Sequence, residues 1–154
     1  MSVLRIPQAV YNDLRAHGKQ EYPRECCGVL LGLPTPDGWR IQSLVRASNA
    51  RADSAHNRYE IAPAELIVIA NHARSLKLEI AGFYHSHPDH PAEWSTTDLA
   101  EAHWIGCCYL ITEVVHGRAV ATNSFLLAGA SEGQKLFEPQ TIQILGNPDS
   151  SPDH

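Results

Sequence analysis

Nowhere along the 154 residues do lysines and arginines gather into a run. With 12 of them against 17 carboxylates the formal net charge is −5, histidines neutral. A nucleic-acid partner therefore has no electrostatic footprint here. Long apolar runs are also missing. No window of 18 apolar residues exists, which leaves nothing to span a membrane as a helix. The opening MSVLRIPQAVYNDLRAHGK lacks the apolar core of a secretory signal. The expected setting is the cytoplasm. Cysteine never appears as C-x-x-C, so neither a zinc ribbon nor a dithiol redox motif is written here. The four cysteines form two adjacent pairs, Cys26-Cys27 and Cys107-Cys108, inside the apolar runs CCGVLLG and CCYLIT. A free thiol in such a run behaves as a small hydrophobe, and all four are read as core residues.

What is present suits one globular domain: 44% hydrophobic and 19% charged residues, over a length able to bury a core. The chain shows no internal repeat and no dividing linker. Residues 7–17 carry Val10, Leu14 and His17 at helical spacing, with Pro7 in the first turn and Gly18 placed as a C-terminal cap. CCGVLLG reads as a buried strand, PTPDG as a turn and WRIQSLVRAS as the returning strand of a hairpin. The polar stretch NARADSAHNRYEI reads as a loop. Residues 63–77 give the clearest helix, with Leu66, Ile69, Ala70, Ala73 and Leu76 on one face. EIAGFYHSH then reads as a central strand, Thr96 to about Trp104 as a short helix, and CCYLITEV and RAVATNSFLLA as strands joined at His116-Gly117. A domain over residues 1–128 is expected, followed by a C-terminal extension, 129–154. That extension holds one candidate strand, TIQIL, and a final GNPDSSPDH without order-promoting composition. The fold class is α/β: a single-domain mixed sheet flanked by helices.

The densest chemistry lies in YHSHPDHPAEWSTTD, Tyr84 to Asp98, with three histidines and two aspartates in fifteen residues. Side chains at i and i+2 of a strand share a face, so His85 and His87 aim the same way and can grip one Zn²⁺. Pro88 helps end the strand, and Asp98 can return from the next helix to offer a carboxylate oxygen. Two histidines and one aspartate leave the fourth tetrahedral position to water, the pattern of a catalytic zinc. Zinc lowers the pKa of such a water toward about 7. Ser95-x-x-Asp98 also fits a capping box at a helix start.

H-S-H-P, then six residues, then S-x-x-D resembles the signature of the JAMM (MPN+/Mov34) metallopeptidases. The segments PRECCGVLLG, PAELIVIANHARSL and LAEAHWIGCCYLIT resemble the core of that family, so the likeness covers roughly residues 3 to 127. It implies an MPN/JAB-like fold with layering similar to that of cytidine deaminases, and one zinc per chain on His85, His87 and Asp98. It implies that Ser95 steadies an oxyanion and that a glutamate moves the proton. Spacing alone leaves Glu21, Glu25, Glu60, Glu65, Glu79 and Glu93 open. The family pattern P-x-E-x-C-G, with its glutamate just before the first apolar strand, selects Glu25.

Relatives of this kind hydrolyse the amide after a C-terminal Gly-Gly of ubiquitin-like proteins. The short loop between His87 and Ser95 resembles the small bacterial branch, which implies a ubiquitin-like or sulfur-carrier (ThiS/MoaD-like) substrate. The alternative is a catalytically silent MPN-type scaffold, against which stands the full set of ligand types. A zinc deaminase would need H-x-E and P-C-x-x-C, and neither occurs. His90 reads as a solvated loop residue, and His17, His56, His72, His103 and His116 as surface or core-edge residues. Trp94 covers the metal or packs; Trp39 and Trp104 pack. Ser86 faces away from the two histidines.

Overall fold

Every position from Cys26 to Leu31 is apolar or glycine, so a strand there has to be covered on both faces. The computed structural model, which describes residues 1–51 and 58–146, shows how. In chain order the elements are β1 (Val3–Pro7), α1 (Gln8–Glu21), β2 (Cys27–Thr35), β3 (Gly38–Ala47), α2 (Pro63–Ser75), β4 (Glu79–Pro88), α3 (Thr96–Glu101), β5 (Cys108–Val115), β6 (Arg118–Ala128), a short 3-10 turn at Glu132–Gln134 and β7 (Leu136–Leu145). The strands form one mixed sheet in the order β1-β3-β2-β4-β5-β6-β7. The β4–β5 pair is parallel, while β2–β4 and β5–β6 are antiparallel.

The period of two sorts side chains between two cores. Cys27, Val29, Leu31, Phe83, Tyr109 and Ile111 meet Ile69 and Ala73 of α2 on one face. Cys26, Leu30, Ala81, Tyr84, Cys108 and Leu110 meet Leu14 of α1 on the other. Adjacent cysteines thus point to opposite cores, and all four are free and buried, as read from their apolar runs.

The structure departs from expectation at four places. Helix α1 runs through Gly18 to Glu21, with Tyr22 as its C-cap, so Gly18 is not a cap. A Cβ there would lie 3.1 Å from Val114 Cγ2 and 3.3 Å from Ser86 Cβ, so glycine lets the helix approach the sheet. Helix α3 stops at Glu101 instead of reaching Trp104. Strand β1 is too short for its alternation to stand out, yet Leu4 and Ile6 are fully buried. Finally, the sheet continues past residue 128. β7 pairs antiparallel with β6 and parallel with β1, which closes the sheet into a barrel. TIQIL is the second half of that strand.

Among the described residues no helix is long and apolar enough to cross a membrane. His56 and residues 147–154 lie outside the described residues.

Candidate metal centre

Strand β4 carries His85 and His87 on its α2-facing side, between β2 and β5. Ser86 faces the other way, as expected, and its hydroxyl accepts the backbone N–H of Cys26 at 2.8 Å. After Pro88 the chain leaves the strand, and Ser95 caps α3 in a full capping box. Asp98 N–H donates to Ser95 Oγ at 3.0 Å, and Ser95 N–H donates to Asp98 Oδ2 at 2.9 Å. The capping reading holds, and the cap aims the Asp98 carboxylate at the two imidazoles, a group that could hold a metal ion.

His85 Nε2 and His87 Nε2 are 3.2 Å apart. Asp98 Oδ1 lies 3.3 Å from the first and Oδ2 3.1 Å from the second. A tetrahedral zinc with bonds of 2.0–2.1 Å requires its ligand atoms to sit about 3.3 Å from one another. The two imidazole nitrogens, and each of them with its own carboxylate oxygen, stand at about that spacing. The tautomer fits as well: His87 Nδ1 lies 2.7 Å from the Pro91 carbonyl, which can only accept, so the proton is on Nδ1 and Nε2 keeps its lone pair. His85 Nδ1 is sealed from solvent and has no partner among the described residues, which leaves Nε2 as that ring's polar contact. Side-chain exposures of 2%, 3% and 12% for His85, His87 and Asp98 mean that three polar groups have been buried around one point. Burial opposes ionisation of Asp98, but the two histidines beside it and the Ser95 N–H hold its carboxyl well below the usual carboxylate range. Burial lowers the pKa of His85. At His87 burial also works downward, yet the bonds to Asp98 and the Pro91 carbonyl raise it overall.

Glu25 lies two residues before β2. The register pairs Cys27 with His85, so continuing it places Glu25 across from His87 and on the same face. The residue is only 3% exposed. Burial pushes its pKa up to about 8, with His87 pulling down and Asp98 and Glu101 pushing further up. Such a carboxyl holds and releases a proton near neutrality. The other candidate glutamates Glu21, Glu60, Glu79 and Glu93 are exposed, and Glu65 accepts the Ser48 N–H.

Two residues of the site escape sequence reasoning. Tyr59 stacks on His85 with ring centroids 4.4 Å apart, and His90 stacks on His87 at 4.2 Å. His90 is therefore packed rather than solvated, its Nδ1–H donating to the Pro88 carbonyl at 2.7 Å. Only its place three residues after His87 hinted at this, and nothing in the polar loop marked Tyr59. Trp94 packs on Phe137 of β7 at 5.6 Å. His17 is buried, with Nδ1 2.8 Å from Tyr84 Oη. A cleft of about 330 Å³, lined in part by Tyr59, Phe83, Glu101 and Trp104, opens beside the site.

A family model described as prokaryotic homologues of the JAB domain matches residues 7–127. The chain belongs to this family. It is an enzyme of the JAMM type, a hydrolase. Among curated proteins, the desampylase of Haloferax volcanii is 37% identical over 103 residues, covering 67% of this chain and 72% of that protein. The "Probable TtuB-protein conjugate cleaving protease" of Thermus thermophilus is 28% identical over 102 residues, covering 66% of this chain and 65% of that protein. Among solved structures, a protein from Salinibacter ruber is 34% identical with a TM-score of 0.67, over 96% of this chain and 94% of that one. A protein from Desulfitobacterium hafniense has a TM-score of 0.76 at 22% identity, over 93% of this chain and 94% of that one, and shares the fold.

Proposed function

We propose that this chain is a zinc metallopeptidase that hydrolyses the amide bond after the C-terminal Gly-Gly of a ubiquitin-like or sulfur-carrier protein. The observation that carries this reading is the His85–His87–Asp98 cluster, with the two imidazole nitrogens 3.2 Å apart and a carboxylate oxygen 3.1 to 3.3 Å from each, and with a buried Glu25 opposite His87. Names of the two curated relatives, a desampylase and a protease for TtuB conjugates, support the substrate class. Catalysis is assigned to residues 1–128, which hold every site residue. The free buried thiols suit a reducing compartment, and the cytoplasm is the proposed setting.

His85 and His87 would hold the metal through Nε2 and Asp98 through a carboxylate oxygen. Zinc there supplies Lewis acidity and a more acidic water. Glu25 takes a proton from the attacking water and delivers it to the departing amine nitrogen, so that water is consumed and the C–N bond yields an acid and an amine. Ser95 Oγ already accepts the Asp98 N–H. Its hydroxyl hydrogen remains free to donate to the negative charge developing on the carbonyl oxygen.

The test is a carrier domain ending in Gly-Gly and extended by a short peptide, incubated with zinc-loaded protein and followed by mass spectrometry. Cleavage after the second glycine is expected, and Glu25→Gln should retain zinc while losing most turnover. An intact fusion would remove the substrate reading. Failure to take up zinc even on reloading would move the chain to the scaffold class.

A further inference from the structure

Asp89 joins three segments beside the site. Its N–H donates to the Val114 carbonyl at 2.7 Å. One carboxylate oxygen accepts the Tyr22 hydroxyl at 2.5 Å, and the other accepts the His116 N–H at 2.8 Å. The backbone supports this arrangement. Asp89 has φ 58 and His116 φ 49, both in the left-handed region that aspartate tolerates better than most residues. Tyr22 Cδ1 lies 4.0 Å from where a Cβ on Gly117 would stand, so the ring covers the β5–β6 turn.

The positions of the partners give the contact a purpose. Tyr22 is three residues before Glu25, and Asp89 is two residues after His87. Among the described residues the Glu25 side chain makes no hydrogen bond; its backbone carbonyl accepts Asn49 Nδ2. Among the described residues the carboxyl is thus held by its packing and by where the backbone sets it. On one side that backbone is held by the β2–β4 register at Cys27 and His85. On the other it is held at Tyr22. The turn anchored by Asp89 also contains Pro91, whose carbonyl orients the His87 ring.

We infer that Tyr22 and Asp89 are positioning residues, whose hydrogen bond couples the segment carrying Glu25 to the turn that follows His87. The inference rests on the reading of Glu25 as the proton carrier. It goes further in giving two residues outside the donor set a share in setting the geometry between base and ligands. Supporting contacts of this kind typically matter by about tenfold to a hundredfold in metal affinity or activity.

Three substitutions separate the coupling from general stability. Tyr22→Phe removes only the hydroxyl. Asp89→Gly removes the carboxylate but keeps the left-handed backbone accessible. Asp89→Asn can still accept from His116 and donate to Tyr22 Oη. Zinc affinity is measured by competition with a chromogenic chelator, and kcat and KM on the Gly-Gly fusion. Tyr22→Phe and Asp89→Gly should each weaken zinc binding and lower kcat about tenfold with KM nearly unchanged. The double variant should be no worse than Asp89→Gly alone, because both remove one interaction, and Asp89→Asn should restore most of the loss. Wild-type zinc affinity and kcat in Tyr22→Phe, or additive losses in the double variant, would overturn the coupling. Should Asp89→Gly not fold, Tyr22→Phe against Asp89→Asn still decides. If the wild type leaves the fusion intact, the substrate reading fails, while the zinc competition still tests the coupling.

Discussion

His85 Nε2 faces His87 Nε2 across 3.2 Å, and the Asp98 carboxylate closes the triangle. Two buried neutral imidazoles at that distance can share at most one proton, whereas a divalent cation satisfies both lone pairs and the carboxylate at once. A metal bound to the folded state would explain the polar burial.

Metal removal should therefore destabilise the protein. With free zinc at a hundred times its dissociation constant, binding contributes about 2.7 kcal/mol. Dialysis against a chelator is expected to lower the melting temperature of the wild type and leave that of Asp98→Ala almost unmoved, since that variant has no complete donor set. Elemental analysis should find about one zinc per wild-type chain and a large loss in Asp98→Ala and His87→Ala. Equal melting shifts in wild type and Asp98→Ala would mean that the chelator acts elsewhere.

The cap observed at Ser95 and the oxyanion role proposed for it can be parted by substitution. As an N-cap it is worth about 1 kcal/mol, of which glycine recovers all but a few tenths. As an oxyanion donor it is worth about 10²–10³ in kcat. Ser95→Gly is expected to unfold within a few tenths of a kcal/mol of wild type in urea, yet to lose at least about a hundredfold in kcat. A parallel, modest loss in both measurements would leave Ser95 as a cap only.

How much of this was legible in the sequence depends on how local the signal is. H-S-H on a strand and S-x-x-D at a helix start are set by periods of two and three residues, so the donor triangle could be read before the fold. Glu25 needed the family pattern, because strand pairing brings it to His87 across 61 intervening positions. Tyr59 and His90 were missed for a different reason. Ring stacking depends on where a loop returns, and a polar loop carries no periodicity to show it. Gly18 misled because a glycine near a helix end has two physical uses, capping and close approach. Only the neighbouring Val114 and Ser86 choose between them. Sheet closure was illegible because β1 is five residues long and much of β7 is exposed.

Gly28 offers a packing test close to the site. It pairs with Tyr84 across β2 and β4, and a Cβ there would stand 2.2 Å from Tyr84 Cε1 and 2.3 Å from Cζ. The ring cannot swing away easily, since Tyr84 is 1% exposed and its hydroxyl is bonded to His17. Gly28→Ala is expected to destabilise by about 2–3 kcal/mol, at the upper end of overpacking costs, as read from urea midpoints. A change below about 0.5 kcal/mol would show that the ring relaxes.

The same buried pair makes stability depend on pH. Burial is the main cause that lowers the pKa of His17 in the folded state, with Arg46 adding to it and Glu21 and Asp13 opposing. The unfolded chain, with an ordinary histidine pKa near 6.5, therefore binds the proton first as the pH falls. Where the unfolded state holds more protons, stability rises with pH. The contribution of His17 is accordingly complete above about pH 6.5 and declines below it, by at most about 1.4 kcal/mol per pH unit, until the folded-state pKa is reached. His17→Gln can keep a hydrogen bond to Tyr84 Oη but cannot titrate. Urea unfolding at pH 7, 6 and 5 is expected to show a shallower loss of stability in this variant than in the wild type. Both proteins are to be measured as the metal-free form, so that competition between protons and zinc for His85 and His87 adds nothing to the slope. Parallel slopes would mean that the buried imidazole takes up its proton in the folded state as readily as in the unfolded chain.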